Sequence, residues 1–85
     1  MEIQAALTRF RDHDIVIVWV NRYVLSNDRQ AAAYIRELEN TYFCRPVVLV
    51  APGPGKPIVY GCDDTIVEHV ANTPLINLPW ARYVM

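Results

Sequence analysis

RPVVLVAPGPGKPIVYG, residues 45–61, reads as a strand, a turn bounded by proline and glycine, and a second strand. Val47, Val48, Leu49 and Val50 form a continuous run of β-branched residues and leucine. The segment from Pro52 to Pro57 cannot continue a ladder, and Ile58, Val59 and Tyr60 resume β-forming residues. A hairpin is therefore expected here. The chain before it must supply a strand to pair with, and the chain after it must leave from Gly61.

The tip of this hairpin, Pro52 to Pro57, invites comparison with a phosphate-binding loop, and the spacing rejects it. Such a loop needs its first glycine five residues before the Gly-Lys pair, a hydroxyl after the lysine and a helix beneath the phosphate. Here Val50 stands at the first position, Pro57 follows Lys56, and a strand comes next. The tip reads as a rigid connection.

Upstream, Ala31, Tyr34, Ile35, Leu38 and Tyr42 recur with helical period opposite Arg29, Arg36, Glu37, Glu39 and Asn40, which predicts the main helix over residues 28–43. Ser26, Asn27 and Asp28 are candidate N-caps, with Asn27 and Gln30 spaced as in a capping box. Before them, IVIVWV at 15–20 has no polar residue at either parity, the mark of a central strand covered on both faces. Strand 15–20, helix 28–43 and strand 46–51 then make a βαβ unit with parallel strands and a right-handed crossover. Residues 1–10 place Ile3, Ala6, Leu7 and Phe10 at helical spacing and read as a short amphipathic helix, with Asp12, His13 and Asp14 as the connection to the strand.

Downstream, Ile66, Val67, Val70 and Ala71 share one face of a third helix over 65–72, with Asp63 and Asp64 at its start and Asn72 and Pro74 at its end. The tail alternates Ile76, Leu78 and Trp80 with Asn77, Pro79 and Ala81, an edge strand or extended arm, since Pro79 would break a central one. The expected fold is a single small α/β domain over 1–85, in the order α-β-α-β-β-α-β. Its mixed sheet has three to four strands, a parallel βαβ plus a β-hairpin, packed with helices.

A chain of 85 residues that is 53% hydrophobic and 20% charged can build one core, but a domain this small leaves apolar surface uncovered. Eight basic residues against nine acidic ones give a net charge of -1 with no basic block, which argues against a nucleic-acid partner. No apolar run reaches the length of a membrane span, and no secretory leader is expected, since the first residues lack an apolar h-region. Cys44 and Cys62 lack Cys-x-x-Cys spacing, so two thiols in a reducing cytoplasm are expected.

Three groups of chemistry-bearing residues stand out in the sequence. Cys62 and His69 share a face if the third helix begins at Cys62, but two turns separate them by about 10 Å, beyond reach of a nucleophile and its base. Cys44, Cys62, His69 and the nearby acids have no structural-zinc spacing. Asp12, His13 and Asp14, with Arg9 and Arg11 beside them, read as a solvated turn. No catalytic residue, metal ligand or cofactor is assigned.

Pro46 opening a strand, the hairpin, and Gly61-Cys62-Asp63-Asp64 at the start of a helix resemble the C-terminal half of glutaredoxin and thioredoxin-fold proteins over residues 46–71. In glutaredoxins this segment and the proline, which is cis there, help bind glutathione. The resemblance implies a degenerate thioredoxin-like fold with Pro46, Cys62 and Asp63 as ligand-binding positions. The family's redox cysteine has no counterpart, because the connector from Asn21 to Asp28 contains no cysteine.

Function is expected to be that of a small cytoplasmic, non-catalytic interaction or accessory module, self-associating as a homodimer through Ile76, Leu78, Trp80 and Tyr83, with a further protein partner open. The alternative is a thiol- or glutathione-binding protein using Cys62. A third reading lets the edge strand Ile58 to Tyr60 pair with a partner peptide.

Overall fold

The computed structural model describes residues 2–61 and 63–84. Five strands form one mixed sheet, and helices cover both of its faces. In chain order the elements are β1 (Glu2–Phe10), β2 (His13–Trp19), α1 (Arg22–Leu25), α2 (Asp28–Leu38), a π turn (Glu39–Phe43), β3 (Val47–Ala51), β4 (Ile58–Tyr60), α3 (Asp64–Ala71), a 3-10 turn (Leu75–Asn77) and β5 (Trp80–Val84). The strand order is β4-β3-β2-β1-β5, with β2 and β3 parallel and the other pairs antiparallel.

The expected parallel β2-α2-β3 unit is present, and β2 is the central strand. Its alternate residues serve different layers. Val16, Val18 and Val20 join Ala31, Ile35 and Leu38 of α2 with Val47, Leu49 and Ala51 in one core cluster. Ile15 and Ile17 join Val48, Val50 and Val70 of α3 in the other. A strand apolar at both parities thus serves two cores at once.

The helix expected over residues 1–10 is instead β1, which corrects the start of the element order and enlarges the sheet to five strands. Ile3, Ala6, Leu7 and Phe10 fit a helical stripe, but Ile3, Ala5 and Leu7 fit a strand face equally well. Both Ala5 and Ala6 are completely buried, on opposite faces, because β1 lies between β2 and β5. The turn joining β1 to β2 is Arg11-Asp12, with both residues at positive φ (49° and 65°), a type I′ conformation without the usual glycine or asparagine. Lacking that signal, the hairpin reads as a polar connector.

The helix over 28–43 is two elements. Asn27 caps α2, its Oδ1 accepting from the N–H groups of Arg29 (3.0 Å) and Gln30 (3.1 Å). After Leu38 the chain widens into the π turn, which brings Phe43 onto the core and leaves Tyr42 exposed. Cys44 ends it in the left-handed conformation (φ 53°), its N–H donated to the Glu39 carbonyl (2.8 Å). The Glu39 carboxylate then reaches forward and accepts from the N–H of Val47, at 3.0 Å.

The β3-β4 hairpin forms as expected, with Leu49 opposite Tyr60 and Ala51 opposite Ile58. Its tip depends on Gly53, where a Cβ would lie 2.7 Å from the Lys56 carbonyl oxygen. Asp63 caps α3, accepting from Thr65 (2.9 Å) and Ile66 (3.3 Å). The extended run expected from Ile76 is corrected: Leu75–Asn77 form a 3-10 turn, and only Trp80–Val84 make the edge strand β5 paired with β1.

Candidate functional site

All described side chains that are buried are apolar, so no described acid, base or imidazole is held away from water inside the domain. Among the described residues no three His, Cys, Asp or Glu side chains converge as a metal site. Among the described residues no helix is long and apolar enough to cross a membrane. The chemistry-bearing side chains among the described residues lie on the surface, and several have structural partners.

Asp63 is spent on capping α3. Pro46 lies at the start of β3, its carbonyl accepting from Val16 N–H at 2.9 Å, and its preceding peptide bond is trans. It lines a hollow of about 410 Å³ with Glu39, Asn40, Cys44 and Arg45, a set without an imidazole. The β3-β4 register carries Gly61 back toward Val48, so Pro46 and Asp63 stand at the same end of the sheet. Cys62 lies outside the described residues. His69 stacks on Phe10, with ring centroids 4.2 Å apart, and Arg11 lies over the same phenyl ring. Asp14 faces Arg9 across the first hairpin at 3.9 Å, an exposed pair.

A different region gathers exposed apolar surface. Alternation along β1, β2 and β5 puts Gln4, Ala6, Trp19, Trp80, Arg82 and Val84 on the α3 side of the sheet. Because Ala6 is small, the indoles of Trp19 and Trp80 meet over β1 edge to face, with centroids 6.2 Å apart. Trp80 Nε1 donates to the Leu75 carbonyl at 2.7 Å, which fixes the 3-10 turn beside the indole. Ile76 on that turn is 90% exposed. Gln4, Trp19, Leu75, Ile76 and Trp80 enclose a groove of about 250 Å³.

Of the four residues expected at an interface, Ile76 and Trp80 line this groove, and Leu78 packs half-buried against the α3-side core. Tyr83 is on the opposite face, packed on the α2-side core with its ring against Phe43 at 5.7 Å. Trp19 was missed. Its signal was its place as the lone aromatic residue in IVIVWV, at the end of a strand otherwise made of valine and isoleucine.

The chain matches no protein-family model, no curated protein and no solved structure. The groove offers two indoles, aliphatic carbon and one carboxamide, a set suited to covering by another apolar surface.

Proposed function

We propose that this chain is a small non-catalytic interaction module of the cytoplasm that associates with a second copy of itself through the face carrying Trp19, Ile76 and Trp80. The observation that carries this reading is the exposed apolar surface there: the indole pair and, beside it, Ile76, 90% exposed. Trp is enriched at the centres of interfaces, where one large ring removes much area from water. The exposed free thiol of Cys44 supports a reducing compartment.

Sedimentation equilibrium of the wild type and of Ile76→Lys tests the reading. Ile76 makes little contact within its own chain, so the lysine leaves the fold intact. The expected result is a wild-type dimer and a folded monomeric variant. A wild type that stays monomeric up to its solubility limit overturns it.

The thiol reading is second. It draws on α3 beginning at Asp64, directly after the Asp63 cap and just beyond Cys62, with Pro46 at the same end of the sheet. A glutathione titration that leaves the amide signals of Arg45, Val47 and Asp63 unmoved removes it.

A further inference from the structure

The two edges of the sheet are not equivalent, and the hydrogen-bond parity shows why. Val16 N–H donates to the Pro46 carbonyl and Val20 N–H to that of Val50, so the even residues of β2 turn their backbone groups toward β3. The odd ones face β1, where Ile15 and Ile17 stand opposite Thr8 and Ala6. In β1 the remaining parity, Ile3 and Ala5, serves β5 through Tyr83 and Ala81. The backbone groups of Trp80, Arg82 and Val84 therefore point away from the sheet. One of them is used locally, the Trp80 N–H, which donates to the Leu78 carbonyl at 2.8 Å.

The same reasoning on the other edge gives the opposite result. In β3, Leu49 and Ala51 serve Tyr60 and Ile58, so within β4 only Val59 faces outward. Pro57 occupies the next outward position, and it has no N–H to offer. The β4 edge is blunted by proline in the manner of edges protected from pairing. On β5 the proline falls at the other parity: Pro79 faces the β1 side, just where pairing with β1 stops at Trp80. It leaves the outer edge open.

We propose that β5 pairs antiparallel with β5 of a second copy about a twofold axis at Ala81, joining the two sheets into one and placing Arg82 of each protomer beside Trp80 of the other. This rests on the self-association reading above and sets the contact along the β5 edge that borders the Trp80 side of that face, with Trp19 on β2 outside the pairing. With the axis at Ala81, Trp80 and Arg82 face each other twice. Each Arg82 N–H donates to the Trp80 carbonyl opposite, and both groups are otherwise unused by the sheet. Trp80 and Arg82 share the α3-side face, so the guanidinium of one copy lies against the indole of the other, a favourable cation–π arrangement. Ala81, exposed and small, allows close approach at the axis.

The neighbouring registers are poorer. An axis at Arg82 sets two guanidinium groups directly opposite each other, and like charges facing across a ladder are destabilising. An axis at Tyr83 sets Arg82 opposite Val84 and leaves the guanidinium with only its exposed partner Glu2, at 3.9 Å within its own chain.

Single cysteines at 81, 82 and 83, introduced in a chain with Cys44 and Cys62 replaced by serine, read the register through disulfide formation in oxidised glutathione. Directly opposed residues at a non-hydrogen-bonded antiparallel position have Cα atoms about 4.5 Å apart, within disulfide range. Ala81→Cys is expected to give covalent dimer fastest. Arg82→Glu, measured by sedimentation, is expected to weaken association by about tenfold or more while the circular dichroism is unchanged. If the wild type is monomeric, this proposal and the self-association reading both fail. If the wild type is a dimer but position 81 does not crosslink fastest, or Arg82→Glu associates as tightly as the wild type, the register fails alone.

Discussion

Trp80 meets Trp19 edge to face across β1, with 6.2 Å between ring centroids and 85° between the rings, where Ala6 faces Trp80 and Gln4 faces Trp19 in the ladder. A central strand and an edge strand are thereby tied together over the one between them. The hydrogen bond from Trp80 Nε1 to the Leu75 carbonyl extends the tie to the 3-10 turn, so one side chain positions the whole approach to β5.

Trp80→Phe keeps most of the apolar area but removes the indole donor and leaves the Leu75 carbonyl without it. A loss of about 1 kcal/mol is expected from the hydrogen bond alone. Urea denaturation checks this as a lowered midpoint at unchanged slope. A midpoint equal to that of the wild type would mean that the bond does not hold the turn.

Glu39 bridges the end of the α2 segment to the start of β3 through the Val47 N–H. Removing a charged acceptor costs about 1.5–3 kcal/mol, so Glu39→Ala should destabilise the chain by that order. Glu39→Gln keeps a carbonyl acceptor and should lose less. Amide exchange at Val47 gives a local readout, expected to quicken most in the alanine variant.

Tyr34 gives the fold a pH dependence in the alkaline range. Burial, reinforced by the nearby Glu37 carboxylate, holds its phenol above the ordinary value of 10.0. Below that value the phenol is neutral in both folded and unfolded chains, and its contribution to stability is complete. As pH rises from 10.0 toward the raised folded value, the unfolded chain releases the proton first, and stability falls. Tyr34→Phe should show a shallower decline than the wild type across that alkaline window. Equal slopes in denaturation measured at several alkaline pH values would contradict this.

Much of the fold was legible because its signals are local. The Asn27 and Asp63 caps, the apolar stripe of Ala31, Ile35 and Leu38, and the proline-bound tip between β3 and β4 each depend on residues close in sequence. The candidate surface was legible in half. Ile76 and Trp80 belong to it, but alternation about Trp80 sends Tyr83 to the opposite face, and Trp19 enters from a strand that reads only as core.

The sequence by itself determined that β2 serves two cores and that α2 and β3 follow it as a parallel unit. A helix closes its hydrogen bonds within its own segment and announces itself by period and cap. Only the tertiary structure decided that residues 2–10 are a strand, because Ala5 and Ala6 are buried by neighbours on both sides and the strand's hydrogen bonds go to β2 and β5. It also decided which edge is open. Pro57 and Pro79 look alike in sequence, and only the ladder's parity turns one outward and the other inward.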